Sequence, residues 1–291
     1  MSAPSVSFEF FPPKSLEASF RLWDTVQALA PLDPAFVSVT YGAGGTTREL
    51  TRDAVKTLSA PLGLNVAAHL TCVGASRAET LATAEEFACA GVREIVALRG
   101  DAPRGAARFT PHPRGFADSC ELIAALAGTG RFDTIRVGAY PEPHPEAADA
   151  GADIDWLKRK IEAGADEAIT QFFFEAETFL RFRDRCAKAG IDAPIHPGIL
   201  PIESWAGARK FARACGARIP AWLADAFDRA ERDGEGRTGL LAVAVTTELC
   251  DTLLGEGVGH LHFYTLNRPD LTRDICHALG LRSSTTLRDV A

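Results

Sequence analysis

Short runs of β-branched and aromatic residues alternate along the whole chain with amphipathic segments rich in Ala and Leu. The apolar runs predict strands over Val6–Phe10, Phe36–Tyr41, Asn65–Thr71, Glu94–Leu98, Ile135–Tyr140, Ala168–Phe174, Pro194–Leu200 and Leu261–Thr265. Between them, helical spacing predicts helices such as Ser15–Leu29, Thr47–Leu58, Arg77–Ala90, Asp153–Ala163, Glu177–Ala189 and Glu203–Cys215. The segment Ile219–Gly257 is long for a single crossover and predicts two helices. Eight strands joined by helical crossovers predict an α/β fold, a parallel (β/α)8 TIM barrel. An open doubly wound sheet is the alternative, one strand away. No low-complexity linker or composition shift interrupts residues 1–291, so a single catalytic domain is expected.

Composition narrows the functional classes. The chain is 46% hydrophobic, enough for a large core, and its net charge is −7 with no basic tract. That balance argues against nucleic acid and anionic membrane as partners. No apolar run approaches the roughly 18 residues of a membrane span, and the start MSAPS lacks a signal-peptide pattern. Seven scattered cysteines without a CxxC pair fit free thiols in a reducing cytoplasm.

Chemistry concentrates in the strands and at their C-terminal ends. Glu9 interrupts the apolar stretch VSFEFFPP; a carboxyl desolvated among Phe8, Phe10 and Phe11 is expected to have a raised pKa, as a general acid needs. Later strands end in Thr40 and Tyr41, His69 and Thr71, Arg99 and Asp101, then Tyr140 with Glu142 and His144. Gln171, Tyr264, Asn267 and Arg268 follow. Each alone reads as a turn former or satisfied core group. Their recurrence at one end of a barrel predicts a cleft for a large polar ligand.

Narrower signals are weaker. The turn Gly42–Thr47, GAGGTT, matches a dinucleotide loop poorly and suits a tight turn with Thr46 or Thr47 as N-cap. The loop Ala102–Gly115 is either a lid or a solvated connection. His260 and His262 share one strand face and could bind a metal, although no acidic cluster accompanies them. Cys72 beside His69 reads as a buried structural thiol. Arg159 and Lys160 could meet a diphosphate and Asp153 ribose or ribityl hydroxyls, or all three form a solvated face.

The motifs VSFEFFPPK, FVSVTYGAGG, AAHLTC, IVALRGD, AYPEPHPEA, LKRKIEAGAD, ITQFFF, HPGILP and HFYTLNR occur in one order from about Val6 to Leu279. Together they resemble the bacterial type of methylenetetrahydrofolate reductase. The resemblance implies a (β/α)8 flavoenzyme of one-carbon metabolism and methionine supply. Hydride passes from NADH or NADPH through tightly bound FAD to 5,10-methylenetetrahydrofolate in a ping-pong cycle. It implies that Glu9 is the acid that opens the folate imidazolidine ring, with Asp101 as its catalytic companion. It implies FAD contacts at Tyr41, His69, Arg99, Gly100, Asp101, Ala117, Tyr140, His144, Ala147, Asp153, Arg159 and Lys160. Folate or nicotinamide contacts fall on Thr40, Gln171, Phe211, Tyr264 and Arg268. The resemblance implies no metal, and association of identical subunits.

Two positions depart from the family pattern. Trp156 stands where Asn is common on the FAD-facing helix, and Gly207 where a substrate-contacting Gln is usual. Two other readings stay open on sequence alone: a metal-dependent barrel hydrolase using His260, His262 and Asp101, and a cofactor-free folate binder.

Overall fold

The computed structural model describes residues 4–41, 48–59, 63–102, 109–234 and 236–282. The turn Gly42–Thr47 and residues 103–108 of the loop Ala102–Gly115 lie outside the described residues.

The strands are β1 (Ser5–Phe10), β2 (Phe36–Val39), β3 (Val66–Thr71), β4 (Glu94–Leu98), β5 (Thr134–Ala139), β6 (Glu167–Thr170), β7 (Ile195–His196), β8 (Gly198–Ile199) and β9 (His260–Tyr264). All pairings are parallel, in the order β7-β6-β5-β4-β3-β2-β1-β9-β8. The run predicted as one strand over Pro194–Leu200 is split at Pro197, which has no N–H to give a ladder. Its two halves pair with β6 on one side and β9 on the other, and this closes the barrel. The fold is the (β/α)8 TIM barrel that the alternation predicts.

The helices are α1 (Leu16–Leu29), α2 (Arg48–Ser59), α3 (Arg77–Cys89), α4 (Ser119–Thr129), α5 (Ala150–Glu162), α6 (Ala176–Lys188), α7 (Trp205–Cys215), α8 (Ala221–Asp233), α9 (Arg237–Gly255) and α10 (Pro269–Ala278). Side-chain caps fix where several begin: Ser15, Asp118, Asp149 and Ser204 each accept backbone N–H bonds, and Ser76 forms a capping box with Glu79. The segment Ile219–Gly257 holds two helices as expected. One expectation is corrected: α9 is long and apolar enough, by length and composition, to cross a membrane. Ala242, Cys250 and Leu253 on it are buried, and it packs against α6, α8 and α10.

The main core lies between strands and helices. Phe8 and Phe10 of β1 point there and are almost fully buried, whereas Glu9, one residue out of phase, points into the barrel. The barrel interior is unusually polar toward its floor. Arg136 of β5 is buried over the Phe36 ring at 3.7 Å, pairing with Glu94 of β4 and, at 2.7 Å, Glu167 of β6. His196 Nε2 approaches Glu167 at 3.3 Å.

The bond from His196, then the nearby Arg136 charge, outweigh burial and hold the Glu167 carboxyl at about 2 against an ordinary 4.5. A depressed carboxylate contributes stability that is complete above its unfolded pKa and is lost as pH falls through its folded one. Glu167→Gln is therefore expected to destabilise the protein by ~3 kcal/mol at pH 7 and by less than half of that at pH 3. Urea unfolding of both proteins at the two pH values measures it; an equal gap at both would assign the loss to packing instead.

Candidate active site

Two cavities meet at the C-terminal mouth of the barrel. The first, about 400 Å³, lies over β4 and β5 against α5. The second, about 290 Å³, lies over the barrel axis. They share Tyr41, Leu98, Asp101, Gly138 and Tyr140, so one cleft runs from α5 to the barrel centre.

The first cavity is cationic at its α5 side. Ala152, Asp153, Trp156 and Lys160 line it at helical spacing, presenting one face of α5. Lys160 is buried, donates to the Gly138 carbonyl at 2.7 Å, and is pushed down to about 8 by that burial. Arg99 also lines the cavity and pairs with Glu146 at 2.6 Å. Asp153 accepts from the His144 backbone N–H at 2.8 Å, so it holds the β5–α5 connection in place. The hydroxyls of Thr71 and Ser119 are buried in this wall and make no hydrogen bond to described residues. Buried hydroxyls without partners are uncommon and fit a polar ligand. Gly100 has φ +85°, and a Cβ there would meet Val73 at 2.5 Å, so this edge accepts only glycine. Tyr140, packed edge-on against His144, is raised to about 12 by burial, with Asp101 adding to the effect.

The second cavity contains Glu9 at its base. Glu9 Oε2 lies 3.3 Å from His69 Nε2 and 3.7 Å from His262 Nε2, with the Ser38 hydroxyl at 3.5 Å. Burial pushes this carboxyl up, but the imidazoles of His262 and His69 outweigh it and hold it at about 2. This corrects the raised pKa expected from sequence. The phenylalanines beside Glu9 face the other side of the strand, and its real neighbours come from β3 and β9. Gln171 turns its Oε1 back to its own chain, accepting from the Phe172 N–H at 3.0 Å, so its NH₂ remains to meet a ligand. Tyr264 donates to the Thr170 carbonyl at 2.6 Å, and Phe211 is 40% exposed in the wall.

The sequence-predicted residues divide accordingly. Tyr41, Arg99, Gly100, Asp101, Tyr140, His144, Ala147, Asp153 and Lys160 line the first cavity. Glu9, Thr40, His69, Gln171, Phe211 and Tyr264 line the second. Three are not brought onto either wall. The Ala117 N–H is taken by Glu121 at 2.9 Å, Arg159 stacks on Trp156 at 4.6 Å, and Arg268 is the N-cap position of α10. Ser119 and Cys215 line the cavities without having been singled out as ligand contacts. Ser119 follows the N-cap Asp118, a capping signal that could have marked it. Gly207 sits in the first turn of α7, where a Cβ would meet only Ser204 at 3.5 Å, so the fold does not require glycine there.

His260 and His262 do not face a metal-binding cluster. Both rings bond the Ser7 hydroxyl, at 2.8 and 2.7 Å. Among the described residues no three His, Cys, Asp or Glu side chains converge as ligands.

Comparisons with known proteins identify the family. The family model described as methylenetetrahydrofolate reductase matches residues 2–280. The chain belongs to the methylenetetrahydrofolate reductase family. It is 47% identical over 278 residues to the 5,10-methylenetetrahydrofolate reductase of Escherichia coli (strain K12), covering 96% of this chain and 91% of that one. Methylenetetrahydrofolate reductase (NADH) 1 of Arabidopsis thaliana is 33% identical across 94% of this chain and 48% of its own length. Among solved structures, an uncharacterized protein from Clostridium thermocellum, described as binding two copies of 5-methyl-5,6,7,8-tetrahydrofolic acid, shares the fold. Its TM-score is 0.56 at 13% identity, covering 96% of this chain and 94% of that one. Membership of the methylenetetrahydrofolate reductase family makes the chain an oxidoreductase, as its motifs imply.

Proposed function

We propose that this protein reduces 5,10-methylenetetrahydrofolate to 5-methyltetrahydrofolate at the expense of NADH or NADPH, with FAD held in the first cavity. The observation that carries the reading is the shared wall. A cavity with cationic groups at one end opens, past Asp101 and Tyr140, onto a second cavity based on Glu9.

The first cavity fits FAD by its donor set. Arg99 and Lys160 offer charge to a diphosphate, while Asp153 and the hydroxyls of Thr71 and Ser119, which bond to none of the described residues, suit ribityl and ribose groups. A bound flavin would supply the two-electron redox chemistry between nicotinamide and folate. The protein then has three tasks: to hold the rings, set the charge beside them and deliver one proton. Asp101 borders both cavities, so its carboxylate can accept paired N–H donors of a pterin. The NH₂ of Gln171 and the ring of Phe211 supply a donor and an apolar face for the same planar group.

Glu9 has the position for the acid, at the base of the substrate cavity. In the open cleft it is a carboxylate. A planar substrate seated above it displaces water and strengthens the desolvation that already pushes its pKa upward. Protonation of Glu9 is thus coupled to filling the cleft, and the proton goes to a folate nitrogen so that the ring opens to an iminium.

The reading takes residues 1–291 as one catalytic unit, cytoplasmic and associating with copies of itself. Purified protein is expected to be yellow, to bleach on anaerobic addition of NADH or NADPH, and to regain colour with methylenetetrahydrofolate. Folate binding by a colourless protein that cannot be reconstituted with FAD would leave only the folate-binder reading.

A further inference from the structure

The two strands that complete the barrel beside Glu9 carry polar groups at every inward position. On β1 these are Ser5, Ser7 and Glu9; on β9 they are His260, His262 and Tyr264, paired in register as Ser5 with His260, Ser7 with His262 and Glu9 with Tyr264. The side chains interlock. Ser5 Oγ lies 2.9 Å from His260 Nδ1, His260 Nε2 lies 2.8 Å from Ser7 Oγ, and Ser7 Oγ lies 2.7 Å from His262 Nδ1. His262 is fully buried, and its Nε2 makes no hydrogen bond to described residues and sits 3.7 Å from Glu9 Oε2. Ser5 is exposed at the floor of the barrel, and Glu9 faces the mouth.

We propose that this row is a proton relay that charges Glu9 from the floor of the barrel while substrate covers the mouth. The proposal rests on the folate-reducing reading above. One assignment of protons satisfies all three hydrogen bonds of the row and leaves the His262 Nε2–H for Glu9: each His carries hydrogen on Nε2, and each Ser hydroxyl donates to the next Nδ1. His262 Nε2–H gives its proton to the Glu9 carboxylate as Nδ1 takes one from Ser7. Ser7 takes one from His260 Nε2, and His260 Nδ1 takes one from Ser5, which is replenished by water. One proton leaves solvent and one arrives at Glu9. Every side chain between is neutral before and after, and both histidines end as the opposite tautomer.

The surroundings keep the two histidines in this neutral form. Burial lowers both, His260 to about 3, with His196 adding to the effect there. His196 packs on His260 at 4.4 Å, Glu167 and Arg136 lie behind it, Glu94 holds Arg136, and His69 and Tyr264 stand near His262. Phe36 stacks on both rings and fixes their planes. The need for a second entrance follows from the site. Glu9 is a carboxylate until the cleft fills, so its proton arrives after the mouth is blocked.

The test uses the FAD-loaded enzyme and follows its two half-reactions separately. Ser7→Ala and His260→Ala are each expected to slow folate reduction by about tenfold or more, with a larger solvent deuterium isotope effect. Oxidation of NAD(P)H should stay within about twofold. Added imidazole should restore His260→Ala, whose gap opens at the floor, and not Ser7→Ala. His260→Gln, which keeps a polar group but cannot exchange tautomers, should be as slow as His260→Ala and serves if that variant loses its fold. In the cofactor-free protein, nitrogen-15 shifts should show Nε2–H tautomers at both histidines near neutral pH. Unchanged folate reduction in the variants, or a protonated Nδ1 at either His, overturns the relay alone. Absence of folate reduction in the unsubstituted enzyme overturns the functional reading and the relay with it.

Discussion

Glu9→Gln is expected to cut folate reduction by about a thousandfold while leaving hydride transfer from NAD(P)H within about twofold of normal. The asymmetry follows from what each half-reaction needs. Reduction by a nicotinamide requires close approach of two rings and no proton from the protein. Opening the folate imidazolidine ring requires a proton at a nitrogen, and Glu9 is the carboxyl at the base of the cavity where that ring would sit. Gln keeps the size of the side chain and its place beside His69 and His262, which stand 3.3 and 3.7 Å away. It cannot give up a proton. Stopped-flow measurement of both half-reactions makes the comparison; equal slowing of the two would make Glu9 a structural residue of the barrel interior.

The same residue shows how far the chain could be read without coordinates. The period of apolar runs carried the architecture, because strand and helix alternation is a local signal. Strand ends carried most of the cleft, because a parallel barrel collects them on one face. What surrounds Glu9 was not local. Phe8 and Phe10 adjoin it in sequence but point into the outer core, whereas His262 is some 250 residues away and reaches it only because β1 pairs with β9. An acid expected to be desolvated among aromatics is instead held ionised between imidazoles. The pattern Ser-x-Ser-x-Glu beside His-x-His-x-Tyr was visible in the sequence, yet only strand pairing makes two inward rows of it. Arg159 and Lys160 adjoin in sequence, but a helix turns successive residues by about 100°, so Lys160 lines the cavity while Arg159 stacks on Trp156, a residue of the same cavity wall.

A large effect on stability is also expected at Gly198, where the interrupted strand closes the barrel. Its N–H donates to the Thr170 hydroxyl at 2.9 Å, and its α-carbon faces the Thr170 carbonyl. That carbonyl also accepts from the Tyr264 hydroxyl at 2.6 Å. A Cβ at Gly198 would collide with the Thr170 oxygen and press on the Tyr264 ring at 2.6 Å. One obstacle is backbone of a buried strand, so it cannot swing aside. Gly198→Ala is expected to cost about 3 kcal/mol and to displace Tyr264 from the substrate cavity. The functional sign should be a raised KM for folate in whatever protein folds. Gly207→Ala is the matched control: the same added methyl meets only Ser204 at 3.5 Å, within a helix that favours Ala over Gly by about 1 kcal/mol. Urea midpoints should therefore move in opposite directions for the two variants. If Gly198→Ala unfolded at the same urea concentration as the unsubstituted protein, β8 would have room that its contacts with β6 and β9 deny it.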